Sequence, residues 1–192
     1  MTTETKKDNR AEQQARSQLE GIVEMVQNLD PEKAREKAAH EYAKNLSRQR
    51  CEEILRDECS IYCRSDDSFD ELREAVAVNI ADKICEPDGF DFDEDSARDE
   101  ARDRIMEDPL SVQVRSGWRD PGVEMDPEEF NILLCTGGPA VRITGDLDLL
   151  NQPDTARLEY QDWFEPWEPL YDITAEEQQA LLTYCQQFYL GD

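Results

Sequence analysis

Residues 130–145 read FNILLCTGGPAVRITG, and the fold follows from how this stretch is taken. Phe130 to Cys135 is a short apolar run, and Ala140 to Gly145 alternates in polarity. Thr136-Gly137-Gly138-Pro139 lies between them. A glycine pair supplies the positive φ that a tight hairpin needs, so the stretch predicts two antiparallel strands and their turn. The period of two recurs from Ser111 to Trp118 and from Ala156 to Gln161. Together these segments predict an antiparallel meander of about four strands, with one packed face and one wet face. Thr174 followed by Glu177 is a capping box. Leu181, Leu182, Cys185, Phe188 and Tyr189 then supply the apolar face of a helix that covers the sheet.

Ahead of Pro109 the period is helical. Ala15, Leu19, Ile22, Val23, Val26 and Leu29 mark one stripe. Asp30-Pro31 then starts a second helix that runs on through His40, Tyr42 and Leu46. Ser47 caps a third, which carries Cys51, Ile54, Leu55, Cys59 and Tyr62. Ser65 to Ser68 is a break and cap before the most apolar helix, built on Leu72, Ala75, Val76, Val78, Ile80 and Ile84 and expected to be buried. Glu86-Pro87-Asp88-Gly89 ends it with turn residues. Asp93 to Ala101 repeats the Asp, Ala-Arg and Ala placement of Asp30 to Ala38, and both are acidic-capped helix starts. The expected class is α+β: a helical region over residues 1–108, loose before about Arg10, then an α+β domain over 109–192.

Charge decides which functions are open. Of 192 residues, 46 are acidic and 21 basic, for a net charge of −25. The excess is regional, because the first fifty residues hold 9 acids against 10 bases while Cys51 to Asp108 holds 21 against 7. Such a field repels nucleic acid and anionic lipid, which excludes direct binding to DNA, RNA or a membrane surface. It attracts basic protein surfaces, of which nucleic-acid grooves are the largest class. No apolar run approaches the length of a membrane span. The six cysteines lie without a disulfide framework, so the chain is expected in the cytoplasm with reduced thiols.

The chemistry-bearing motifs resolve into structural ones. Gly137-Gly138 lacks the Lys and Ser/Thr of a phosphate loop. Asp91, Asp93 and Asp95 alternate as a calcium loop begins, but its sixth position is Ser96 and its twelfth Arg102. Cys51, Cys59 and Cys63 could share a helix face, yet two close pairs of zinc ligands are absent, and thiols packed as small hydrophobes fit better. His40, the one histidine, sits in a polar helical segment and is expected to face solvent. The chain is therefore expected to be no enzyme, with neither metal nor cofactor. Trp163 to Tyr171, WFEPWEPLY, suits a rigid loop that caps the sheet core or, if Trp167 is exposed, offers an aromatic anchor.

Two rows of acids remain. Asp66, Asp67, Asp70, Glu71 and Glu74 form one, and Asp91, Asp93, Asp95, Asp99, Asp103 and Glu107 the other. On a helix, acids three and four apart lie about 5–6 Å from one another, comparable with successive phosphates along a strand. Holding like charges so close is destabilising, which suggests a use in binding.

The segments LSVQVRSGW (110–118), FNILLCTGGPAVRI (130–143), LEYQDW (158–163) and LTYCQQFY (182–189) resemble a family of small proteins from bacteriophages and other bacterial mobile elements. The likeness covers about residues 109–192, brings no catalytic residues, and leaves Ala38 to Gly89 as an insertion relative to shorter members. In size, charge and lack of catalytic residues the chain is also similar to acidic anti-restriction and anti-CRISPR inhibitors. That resemblance implies a DNA mimic acting in the bacterial host cell. Its partner would be the basic surface of a CRISPR effector or another nucleic-acid-binding defence protein, and a homodimer is compatible with it. The alternative is a structural or regulatory phage protein whose acidity serves solubility or salt adaptation.

Overall fold

The computed structural model describes residues 10–61, 63, 66–122 and 126–191. In chain order its elements are α1 (Arg10–Gln27), α2 (Pro31–Lys44), α3 (Arg48–Glu53), α4 (Phe69–Ala81), α5 (Glu94–Glu107), β1 (Ser111–Arg115), β2 (Glu129–Cys135), β3 (Ala140–Asp146), β4 (Arg157–Gln161), β5 (Glu168–Pro169) and α6 (Ala175–Cys185). The fold is α+β, with a helical stretch, a five-stranded antiparallel sheet and a C-terminal helix. The chain separates into two compact units. One runs from Gln27 to Glu100, and the other joins the residues up to Val26 with those from Ala101 onward. These units cut across the change of periodicity at Asp108/Pro109.

In the unit from Gln27 to Glu100, local chemistry sets each helix start. Asp30 accepts a hydrogen bond from the Glu32 N–H at 3.0 Å, with Pro31 in the first turn of α2. Asp93 does the same for the Ser96 N–H at 2.7 Å ahead of α5, so the echo between the two segments is shared cap geometry. Ser47 caps α3, and Ser68 forms a full capping box with Glu71. After Glu53 the third helix continues as one π-helical turn, Ile54–Glu58, closed by the Cys59 N–H on the Ile54 carbonyl at 3.0 Å. That wider turn carries Cys59 out of the helix and ends the face it was expected to share with Cys51 and Cys63. The expected positions at Tyr62 and Ser65 lie outside the described residues.

The core of this unit gathers Ala39, Ala43, Cys51, Ile54, Leu55, Cys59, Leu72, Val76, Ala77, Ile80 and Cys85. Its cysteines pack there as small apolar side chains. Val78 and Ile84 were expected in the core and are instead 41% and 58% exposed. The helix ends at Ala81, and Val78 lies off the face that carries Leu72, Val76 and Ile80. One cation crosses this core. Arg35 is 4% exposed, donates to the Ile80 carbonyl at 3.0 Å and to Glu86 at 2.8 Å, and lies over the rings of Phe90 (5.3 Å) and Phe92 (5.8 Å).

In the other unit, α1 buries Ala11, Ala15, Leu19, Ile22 and Met25. Met25, rather than Val23 or Val26, completes the buried stripe. The sheet runs β1-β2-β3-β4-β5 without a crossover. Along β2 and β3, burial alternates residue by residue, with Phe130, Ile132, Leu134, Val141 and Ile143 inward. Gly137 and Gly138 turn the hairpin at φ 104° and 81°. At Gly138 a Cβ would fall inside the Trp163 indole, so only glycine fits. Helix α6 opens with the expected Thr174–Glu177 capping box. Gln178 and Gln186 fasten it to the β3–β4 connection by donating to the Ala156 and Pro153 carbonyls, at 2.8 and 3.3 Å. Tyr184, fully buried, donates to Asp108 at 2.7 Å.

The fifth strand comes from a segment expected to be loop. Glu168 and Pro169 pair with Tyr160 and Glu159. Strand β1 alternates in sequence but has no packed face: only Ser111 is half-buried, and Val112 and Val114 are 40% and 45% exposed. It is an edge strand, and among the described residues no strand pairs with its outer side.

Candidate functional site

The two acidic rows sort into structural and free carboxylates. Glu71 closes the capping box of α4, accepting from the Ser68 N–H at 2.7 Å, and Asp93 caps α5. Those N–H donors hold both carboxyls below their ordinary range. Asp95 stands 3.9 Å from Arg98, Glu74 reaches His40 at 3.4 Å, and Asp67 is half-buried. The carboxylates of Asp66, Asp70, Asp91, Asp99, Asp103 and Glu107 are exposed and form no ion pair or hydrogen bond among the described residues. Asp95, Asp99, Asp103 and Glu107 follow at four-residue steps along α5, whose inward side is Ala101 and Ile105. Arg98, Arg102 and Arg104 interleave with them, so the α5 row is diluted by cations to a degree that the α4 row is not.

The aromatic loop divides differently from expectation. Trp167 is half-buried, with the Arg142 guanidinium 4.2 Å from its ring centre, and Arg142 in turn holds Glu159 at 2.7 Å. The exposed anchors are its neighbours. Phe164 is 98% exposed with a positive φ of 61°, and Trp163 is 62% exposed, its ring centre 6.0 Å from that of Phe164. A bulky residue held in the left-handed region is strained, and such strain concentrates at functional loops. Hydrogen bonds keep it there: Gln161 donates to the Glu165 carbonyl at 2.6 Å, and the Trp163 N–H donates to Asp162 at 2.9 Å. The composition of the loop was the signal for an anchor. Which aromatic faces out depends on the β4–β5 pairing, and that was not legible.

Other chemistry is muted. The Cys59 thiol is pushed up to about 12 by burial and by its hydrogen bond with Cys85, so it is no nucleophile near neutrality. All six cysteines are free thiols. Among the described residues no group of three or more His, Cys, Asp and Glu could hold a metal ion, and no helix is long and apolar enough to cross a membrane. A groove of about 620 Å³ between α2 and α4 is lined by Lys33, Glu36, His40, Glu74, Asp82 and Lys83, a mixed-sign lining with no converging nucleophile and base.

His40 is not the solvent-facing residue expected from its neighbours. Its side chain is 34% exposed and ties α2 to α4, with Nδ1 2.8 Å from the Glu36 carbonyl and Nε2 3.4 Å from Glu74. The Glu36 carbonyl, and then Glu74, raise its pKa above 6.5 against an opposing effect of burial. A raised folded pKa stabilises the fold fully below the unfolded value, and the contribution is lost as pH rises through the folded value. Urea stability should therefore decline as pH rises above about 6.5, with the decline abolished in His40→Gln. Nuclear magnetic resonance titration should place His40 above 6.5, and Glu74→Gln should lower it.

No protein-family model, curated protein or solved structure matches the chain.

Proposed function

We propose that the protein is an acidic inhibitor that occupies a basic nucleic-acid-binding surface of another protein and so blocks DNA, with a CRISPR effector of a bacterial host cell as its target. The observation that carries this reading is the set of exposed carboxylates at Asp66, Asp70, Asp91, Asp99, Asp103 and Glu107 that no described cation neutralises. A carboxylate that serves the fold is capped or paired, as Glu71 and Asp93 are. Keeping six others bare raises self-repulsion and creates a field that a basic groove can neutralise. Within the unit that holds the sheet, Trp163 and Phe164 are an exposed apolar contact of their own. The choice of a defence protein as target draws on the resemblance of residues 110–189 to mobile-element proteins. On this reading the protein acts in the cytoplasm, binds neither nucleic acid nor membrane itself, and uses no metal or cofactor.

The test is binding to purified CRISPR effectors and restriction enzymes across salt. Screening shortens from about 10 Å at 0.1 M to about 3 Å at 1 M ionic strength. Affinity for the target should fall at least ~10-fold between 0.05 and 0.5 M NaCl, in parallel with loss of inhibition. Affinity flat with salt for every bound effector, or cleavage unaffected across the panel, would overturn the reading.

A further inference from the structure

The two edges of the sheet are built in opposite ways. At one edge β5 is two residues long and contains Pro169, which has no N–H to donate, so further pairing stops there. At the other, β1 offers five residues, Ser111–Arg115, with no proline, lysine or acid. Val112 and Val114 pair with Ile132 and Phe130, which places them on the same face as those buried residues, yet both are 40% or more exposed. Leu110, two residues before Val112, is 60% exposed. An uncovered apolar edge of this kind is a template for another strand.

Charge selects the occupant. The stretch from Pro109 to Arg119, PLSVQVRSGWR, contains no acid, in a chain that carries 46. Its two arginines are already paired within the chain: Arg115 with Glu129, at 2.9 Å from Nε, and Arg119 with Glu128. A basic partner gains nothing from this neutral strip. It is, however, a place where two copies of a chain of net charge −25 can meet with little local repulsion.

We propose that β1 pairs antiparallel with β1 of a second copy, joining two five-stranded sheets into one of ten strands. The register that keeps like charges apart is centred on Gln113, which faces Gln113 of the partner copy. Val112 then faces Val114, and Ser111 faces Arg115. The valine pairs close the uncovered end of each inner face, and cross-strand pairs of β-branched residues stabilise such ladders. A five-residue ladder makes a small interface, so the association is weak and depends on protein concentration. This inference does not rest on the inhibitor reading, and salt separates the two. Binding to a basic groove weakens as salt rises, whereas pairing of two anionic copies strengthens as their long-range repulsion is screened.

The test is sedimentation velocity on the full chain from about 5 to 200 μM at 0.05 and 1 M NaCl, with hydrogen exchange at the same concentrations. The dimer fraction should rise with salt, and the β1 amides should gain protection as concentration rises while β4 amides do not change. V112K/V114K, at positions already exposed, should remain monomeric under every condition, and Leu149→Lys, a fully exposed control, should dimerise as the wild type does. A wild-type monomer at 200 μM and 1 M NaCl overturns the proposal. So does a dimer whose β1 amides stay unprotected, or one that survives in V112K/V114K. The hydrogen-exchange arm needs no variant, so misfolding of one cannot obscure the result.

Discussion

Arg35→Ala should destabilise the segment from Gln27 to Glu100 by about 2–4 kcal/mol. Two costs combine. The side chain fills the space between the Phe90 and Phe92 rings and the end of α4, and its removal leaves a void of the kind made by truncating any large core residue. It also removes one donor to the Ile80 carbonyl, which still accepts from the Lys83 N–H at 3.1 Å, so this second cost is the smaller one. Glu86, 67% exposed on its side chain, can return to water, so its share of the loss is small. Arg35→Lys should recover only part of the stability, because an ammonium lacks the planar fork that reaches the carbonyl and Glu86 together while lying against the Phe90 and Phe92 rings. Urea melts followed by circular dichroism read the loss. Hydrogen exchange should localise it to α2 and α4, with β2 to β4 still protected. Equal loss of protection in the sheet would mean that the two compact units unfold as one.

The sheet was legible because its signals are local. Thr136 to Pro139 carries turn chemistry, and the alternation on either side fixes which residues face inward. Helix starts were legible for the same reason: Asp30, Ser47, Ser68 and Thr174 each cap the helix expected of them. What escaped depends on packing between distant residues. No spacing rule announces that Arg35 is core while Ile84 is surface, since the first is satisfied by a carbonyl 45 residues away. The π turn at Ile54–Glu58 also leaves no mark in composition, yet it redirects Cys59. In the candidate site, the density of acids was plain from the residues. The division between capping and free carboxylates was not, because Glu71 and Asp70, or Asp93 and Asp91, differ only in where the helix begins.

That division determines how the acidic rows should be dissected. Glu71 and Asp93 must be left intact, since their replacement would fray α4 and α5 and confuse a fold defect with a binding defect. Asp91, Asp95, Asp99 and Asp103 can be changed to Asn together, because three have no partner among the described residues and the fourth only a 3.9 Å contact with Arg98. Removing four like charges relieves repulsion, so the quadruple variant should melt at or slightly above the wild-type temperature. If each charge contributes about 0.7 kcal/mol at a basic surface, within the range for exposed pairs, the four together amount to about 2.8 kcal/mol, or roughly 100-fold in affinity. Each single variant should lose only about threefold. Titrating inhibition of the target effector reads both. The pattern matters more than the total: a distributed electrostatic mimic loses activity in proportion to charge removed, whereas a carboxylate that ligates a metal or moves a proton fails at once when it alone is changed. A single Asn variant with no remaining activity and an unaltered fold would therefore exclude the mimic and point to that one side chain as a reactive group.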